Sequence, residues 1–362
     1  MDMNNDCVPY CERIGNLHIH TSASDGSGDH NEVAPAAARA GLDFIIITDH
    51  DVYLPEKQGW KGPVLVLVGE ELRARADSPG NHYLVLNAGE EMRDEAGEPQ
   101  HLIDAVSERG GLGFIAHPVE HAGAISGEKT YNWQEWYTKG FTGIEIWNYM
   151  SEFKSYLSSL FTALLYVLAP KLAIRGPFVA TMAAWDDALA EGDVWAIGGS
   201  DAHAQTYRKG PLSRQVFSYE HLFRAVNTHV LLAEPWNGDL THDAGLIYTA
   251  LGSGKAFVAY DALAPARGFD FTAVWQDQTY AMGDTFTLPA ETPDEEVRFE
   301  VMAPHPAHLR LIRDGLVIAQ ARGMHLVYKT SEPGVYRVEA YRHYHLRDRG
   351  WIYSNPIRVC SA

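Results

Sequence analysis

The sequence predicts an α/β chain: a (β/α)7 barrel over residues 1–264, followed by a small all-β, sandwich-like unit over residues 265–362. Three observations predict it. Short apolar runs alternate with helical stretches through the first two-thirds, the pattern of a parallel sheet or barrel. Near residue 265 the pattern changes to alternating strands with Gly and Pro turns and no helical period. Imidazoles and carboxylates recur at or just past the ends of successive strands.

The strands are read in order as NLHIH (16–20), FIIIT (44–48), VLVLV (64–68), HYLVLN (82–87), GLGFIAH (111–117), GIEIWN (143–148) and VWAIGGSD (194–201). They are β-branched and nearly continuous, as strands buried on both faces should be. Seven such strands point to a barrel one short of the usual eight. Helices are expected at EVAPAAARAG and QHLIDAVSERGG, the latter closed by glycine. Residues 151–176 carry Leu157, Leu160, Phe161, Leu164, Leu165 and Leu168 at helical spacing. This predicts an amphipathic helix packed on the barrel and stopped near Pro170, with a lid or dimer face as the alternative. After ALAPARG come FDFTAVW, TFTL, VRFEVMA, LRLIRDG, GVYRVEAYR and WIYSNPIRV, so the boundary falls at 262–268.

Length, 362 residues, and composition, 46% apolar and 21% charged, are those of a globular chain with room for two domains. The formal charge of −18 argues against a nucleic-acid or anionic-membrane partner. An anionic small substrate stays open, because bound cations invert a local field. Three cysteines are too few for a disulfide framework, and the spacing of Cys7 and Cys11 reads as two incidental thiols. The N-terminus lacks the pattern of a signal peptide, and no apolar run reaches the ~18 residues of a membrane span. The expectation is a cytoplasmic protein.

The histidines carry the chemistry. His18 and His20 sit at i and i+2 of a strand, so both rings leave one face. Asp25 follows in a turn, His50 after FIIIT, Glu71 after VLVLV, and His117 closes GLGFIAH. Asp201 and His203 follow AIGGS. His82 opens its strand instead and fits this geometry less well. An isolated histidine in a strand is ordinarily a satisfied core residue; nine metal-competent groups on one rim are not explained that way. Active sites of barrels form on the rim of C-terminal strand ends. Imidazole and carboxylate without thiolate fit Zn, Mn or Fe. Nine ligands exceed one coordination sphere, so two to three divalent ions are expected, with one carboxylate bridging.

In this order HIHTSASDG, TDHD, GEEL, HYLVLN, AHP and SDAH resemble the PHP (polymerase and histidinol phosphatase) family over residues 14–260. IEIWN, WDDALAEG, IGGSDAHA and the tail YRVEAY…WIYSNPIRV resemble the CehA/McbA-type metallohydrolase branch. The resemblance implies a distorted (β/α)7 barrel with a trinuclear centre. His18, His20, Glu71 and Asp201 would hold one ion. Glu71 would bridge to a second held by His82 and His117, and Asp25, His50 and His203 would hold the third. Glu70 is the neighbour competing with Glu71. Asp49 and Glu145 are candidates to orient histidine ligands from behind.

The implied activity is a metal-dependent hydrolase, foremost a phosphoesterase on a small phosphate ester, with Asp201 handling the proton of a metal-activated water. Arg208 and Lys209 are candidates for phosphate oxygens or a solvated loop. Trp147 and Asn148 are candidates for a substrate wall or for core. Hydrolysis of a carbamate, amide or carboxyl ester on the same ions is the alternative. A degenerate barrel serving as a binding module is the non-enzyme alternative, which the intact ligand set disfavours.

Overall fold

Phe44–Ile47 and Val64–Val68 are buried at every position, as continuous apolar strands require when both faces are covered. The computed structural model describes residues 10–74, 80–124, 129–209, 212–289 and 296–362, without the side chains of 206–209 and 212–214. Cys7 lies outside the described residues.

Two sheets carry the N-terminal part. Cys11–Asn16 pairs in parallel with Phe44–Ile47, which pairs in parallel with Val64–Val68. The chain runs on into Glu70–Arg73, antiparallel to His82–Leu86, which is antiparallel to Leu112–Ile115. Leu112–Ile115, Gly143–Asn148 and Trp195–Gly199 follow in parallel. The two sheets meet where the Ala202 amide donates to the His18 carbonyl (3.1 Å) and the His20 amide to the Ala202 carbonyl (3.0 Å). At the other junction, the Glu71 amide donates to the Asp49 carbonyl (3.2 Å).

The chain is thus mixed α/β and rich in strand, and it departs from a regular parallel alternation at one decisive place. Only residues 74–81 separate Arg73 from His82. A parallel crossover needs a dozen or more residues, so this strand must return antiparallel. Reversal carries its N-terminal end, His82, to the rim where the other strands have their C-terminal ends. The position that fitted the sequence pattern least well is placed by chain length.

Helices His30–Ala40, Pro99–Glu108 and Val179–Glu191 cover the outside. The first is fixed by a capping box between Asp29 and Glu32 and ended by Gly41 in a left-handed conformation (φ 85°). The single helix expected over 151–176 is instead two, Tyr149–Ser155 and Leu160–Leu168, followed by the short 3-10 turn Pro170–Leu172. Ser159 starts the second by capping it, its hydroxyl accepting from the Thr162 amide. Its leucines face outward, opposite to the expected packing. His229 lies in the strand Val226–Leu232.

Val226–Leu232 and Ala256–Tyr260 extend the first sheet antiparallel from Cys11–Asn16. Hydrogen bonding does not stop at the change of composition: Arg347–Ser354 pairs with Ala256–Tyr260. The C-terminal strands nonetheless gather a core of their own around Phe271, Phe299, Leu309, Tyr336 and Trp351. Three of their arginines grip the N-terminal part. Arg337 bonds both oxygens of Asp186 (2.8 and 2.9 Å), Arg349 the carbonyls of Leu172 and Ile174, and Arg358 those of Leu189 and Gly192. Among the described residues no helix is long and apolar enough to cross a membrane.

Candidate metal centre

Glu71 is the hub. Its Oε2 lies 3.0 Å from His18 Nε2, 3.1 Å from His20 Nε2 and 3.3 Å from His50 Nδ1. Its Oε1 lies 2.8 Å from His82 Nδ1 and 3.1 Å from His117 Nε2. Five imidazole nitrogens therefore converge on one buried carboxylate, which has about four lone-pair sites. Glu70 points the other way, as alternation in a strand demands, and accepts from the Met92 amide at 2.6 Å. Burial raises the Glu70 carboxyl to about 7.

Asp201 and Asp25 complete the cluster. Asp201 Oδ1 stands 3.2 Å from His203 Nδ1, 3.4 Å from His20 Nε2 and 3.6 Å from His18 Nε2. Asp25 Oδ1 stands 3.1 Å from His203 Nε2, and its Oδ2 3.8 Å from His50 Nε2. Ligand atoms lie within 4.8 Å of one another in four sets: His20, Asp25, His50 and His203; His18, His117 and Asp201; His18, His20 and Glu71; His50, Glu71 and His82. All nine residues expected from the sequence are brought together. The partition differs from the expected one in three respects: His20 also joins the Asp25 set, His50 also joins Glu71 and His82, and His117 groups with His18 and Asp201.

Proton accounting tests whether cations fit here. Glu145 Oε1 accepts from His18 Nδ1 at 3.1 Å, and its Oε2 accepts from the His117 amide (2.9 Å) and Asn148 Nδ2 (3.0 Å). With Nδ1–H so committed, a neutral His18 turns its Nε2 lone pair on Glu71. His203 repeats this: its Nδ1 donates to the Asp201 carbonyl at 3.0 Å, so Nε2 faces the Asp25 carboxylate. Lone pair against carboxylate at about 3 Å is repulsive unless a proton or a metal ion intervenes. Among the described residues, both ring nitrogens of His20, Nε2 of His82 and Nδ1 of His117 are buried without a partner in hydrogen-bonding geometry. The donor set fits divalent ions.

The electrostatics agree. Burial would raise the Glu71 and Asp201 carboxyls, but His18 beside each holds both well below the usual carboxylate range. Burial would lower His203, yet Asp201 and Asp25 hold it up to about 10. Protons and metal ions compete for these same lone pairs. Backbone strain marks the same places, with His117 at φ 28° and Asp201 at φ 53°, both left-handed and neither glycine. A Cβ at Gly199 would fall 2.9 Å from His18 Cβ and 3.0 Å from Glu145 Oε1, so only glycine lets that pair form.

The cluster floors a cavity of about 660 Å³ whose wall includes Arg73, Lys129, Lys154, Glu120 and Tyr131. Tyr131 stacks on the His82 ring, and its amide donates to Glu120. Lys154 lies 3.9 Å from Glu120, and Arg73 3.3 Å from Asp51. No local motif marks these wall residues; Arg73 ends a strand, Lys154 lies in the helix Tyr149–Ser155, and Glu120, Lys129 and Tyr131 come from the chain between strands. Of the expected substrate residues, Trp147 does not reach the cavity. It is buried among Tyr260 and Tyr353, with Nε1 donating to Glu152 at 2.7 Å. Asn148 caps the helix Tyr149–Ser155 and steadies Glu145. The backbone of Arg208 and Lys209 lies in the strand Thr206–Lys209, and their side chains lie outside the described residues. Asp49 accepts from the Thr21 amide and hydroxyl, bracing the turn that carries Asp25. His30 opens a helix and His121 packs against Phe178; neither lines the cavity.

No family model matches the chain, and no curated protein matches it. Among solved structures, it is similar to a two-domain protein from Bacteroides vulgatus containing a predicted PHP-like metal-dependent phosphoesterase. That likeness is 16% identity over 96% of each chain, with a TM-score of 0.44. A candidate metal-dependent phosphoesterase from Bifidobacterium adolescentis is similar at 14% identity over 52% of this chain and 87% of the other, with a TM-score of 0.35. An amidohydrolase from Chromobacterium violaceum is similar at 16% identity over 57% and 92%, with a TM-score of 0.29. These likenesses are loose, and the chemistry rests on the residues of the site itself.

Proposed function

We propose that the chain is a metal-dependent hydrolase of small phosphate esters, the activity its resemblance to the PHP family implies. It would use two to three divalent ions (Zn, Mn or Fe) held by His18, His20, Asp25, His50, Glu71, His82, His117, Asp201 and His203. The observation carrying the reading is the convergence of five imidazoles on Glu71, with two lone pairs aimed at carboxylates. When bound, such ions supply an activated water and polarise a phosphoryl or carbonyl oxygen.

The chain's own residues do the rest. Asp201 lines the cavity with one oxygen held by three histidines, and takes the proton of the attacking water at its other oxygen. Arg73, Lys129 and Lys154 orient the anionic oxygens of the substrate; three cations in the lining, two of them beside Asp51 and Glu120, support phosphate over a neutral carbonyl. Glu145 holds the His18 ring in one tautomer. Within this reading residues 1–264 form the catalytic unit. Residues 265–362 brace it through Arg337, Arg349 and Arg358.

Met150, Val216 and Leu222 on the same wall favour the second reading, hydrolysis of a carboxyl ester, amide or carbamate. The test is metal-reconstituted protein against nitrophenyl phosphate mono- and diesters, nitrophenyl carboxyl esters and carbamates. Turnover of the phosphate esters is expected to dominate. Turnover confined to the carbonyl substrates would replace the first reading by the second, and metal uptake without any turnover would favour a binding module.

A further inference from the structure

The helix Leu160–Leu168 carries no charge, and Thr162, bonded back to Ser159, and Tyr166 are its only polar side chains. Its inner side, Tyr166 and Val167, packs on the hydrophobic core of the N-terminal part. Its outer side exposes Leu160 (82%), Phe161 (75%), Leu164 (55%), Leu165 (37%) and Leu168 (66%). A helix with no polar face is a buried helix. These fractions leave on the order of 600 Å² of apolar surface in one patch, the top of the ~300–600 Å² range for the largest patch on a soluble monomer, which is often functional. From Ser155 to Pro170 the chain carries no Asp, Glu, Lys, Arg or His.

We propose that this face is the twofold interface of a homodimer, the helix of one copy packed on that of a second. Charge selects this occupant. At −18 per chain, two copies repel over most of their surface, and this uncharged stretch is where they approach at little electrostatic cost. An isologous contact needs a patch complementary to itself, which an uncharged apolar helix is. Size agrees: about 600 Å² from each copy totals about 1,200 Å², the lower bound for a stable specific interface. An anionic membrane is disfavoured because the nine-residue helix has no basic face. The preceding helix, Tyr149–Ser155, lends Met150 and Lys154 to the cavity wall, so dimerisation would also steady that wall.

Sedimentation velocity of the full, metal-loaded chain at micromolar concentration is expected to give a species of about twice 40.2 kDa. Phe161→Glu and Leu164→Glu should each raise the dimer dissociation constant ~30-fold or more, as loss of an interface anchor does. Far-UV circular dichroism and metal content should not change, because both side chains are exposed. Leu346→Glu, exposed elsewhere, should leave the dimer intact. If either variant misfolds, Phe161→Ser and Leu164→Gln serve in its place. A monomeric wild type would overturn the proposal, as would a dimer indifferent to all four helix variants. So would a monomer that floats with phosphatidylglycerol vesicles, which would make the patch a membrane contact.

Discussion

Replacing Glu145 by Gln tests the metal centre without touching a ligand. The side chain is fully buried and spends its carboxylate on three donors: His18 Nδ1, the His117 amide and Asn148 Nδ2. Glutamine keeps the shape but turns one acceptor into a donor. If its NH2 takes the Oε2 position, it meets the N–H groups of His117 and Asn148. Asn148 cannot turn its amide to relieve this, because its Oδ1 caps the helix at the Ser151 amide (2.9 Å). If the NH2 takes the Oε1 position, His18 must carry its proton on Nε2, the nitrogen that faces Glu71. Either way a ligand is misplaced or blocked. Loss of such a supporting partner typically weakens metal binding by about 10–100-fold, or about 1.4–2.7 kcal/mol. Competition against a chromophoric chelator, on apo-protein whose fold is checked by circular dichroism, measures this directly. A Glu145→Gln variant that binds its ions as tightly as the wild type would refute the reasoning.

Asp201→Asn should lower kcat by at least ~10²-fold while ions remain bound, whereas Glu71→Gln should lose metal first and recover part of its activity in excess metal; wild-type kcat in a fully loaded Asp201→Asn removes Asp201 from the proton step. Arg337→Ala leaves Glu339 buried and Asp186 half-buried without their cation, so urea unfolding should show a loss of about 3 kcal/mol; a loss under about 1 kcal/mol, the level of a surface pair, would mean the arginine is not a brace. His229 is pulled down by burial but held up to about 9 by Asp261 and Glu12, against an ordinary 6.5. A raised folded value stabilises fully below pH 6.5 and fades as pH rises through 9, so the wild type should lose about 3 kcal/mol over that window relative to His229→Gln; a difference that does not vary with pH would sink this account.

That these groups would gather on one rim was legible from the amino-acid order because it depends largely on local facts. Period-2 alternation puts His18 and His20 on one face, and residues just past strand ends reach the rim of any barrel. Glu71 over Glu70 follows from the same alternation once strand Glu70–Arg73 is in place. Trp147 and Asn148 were not legible, because a strand buried on both faces has no polar alternation to say which side chains point where. The outward face of Leu160–Leu168 escaped for a related reason: a helical stripe states which residues share a face, not what that face meets. The cavity wall was out of reach because Arg73 at a strand end, Lys129 and Lys154 in a helix are distant in sequence and meet only in the folded chain. Sequence alone determined which groups can bind metal and that strand ends would gather them. Tertiary structure decided that His82 reaches the same rim, that Glu145 backs the His18 ring, and that Arg73, Lys129 and Lys154 stand with Asp51 and Glu120 in the wall above them. Those depend on strand direction and loop packing, energies summed over contacts that no single stretch of chain contains.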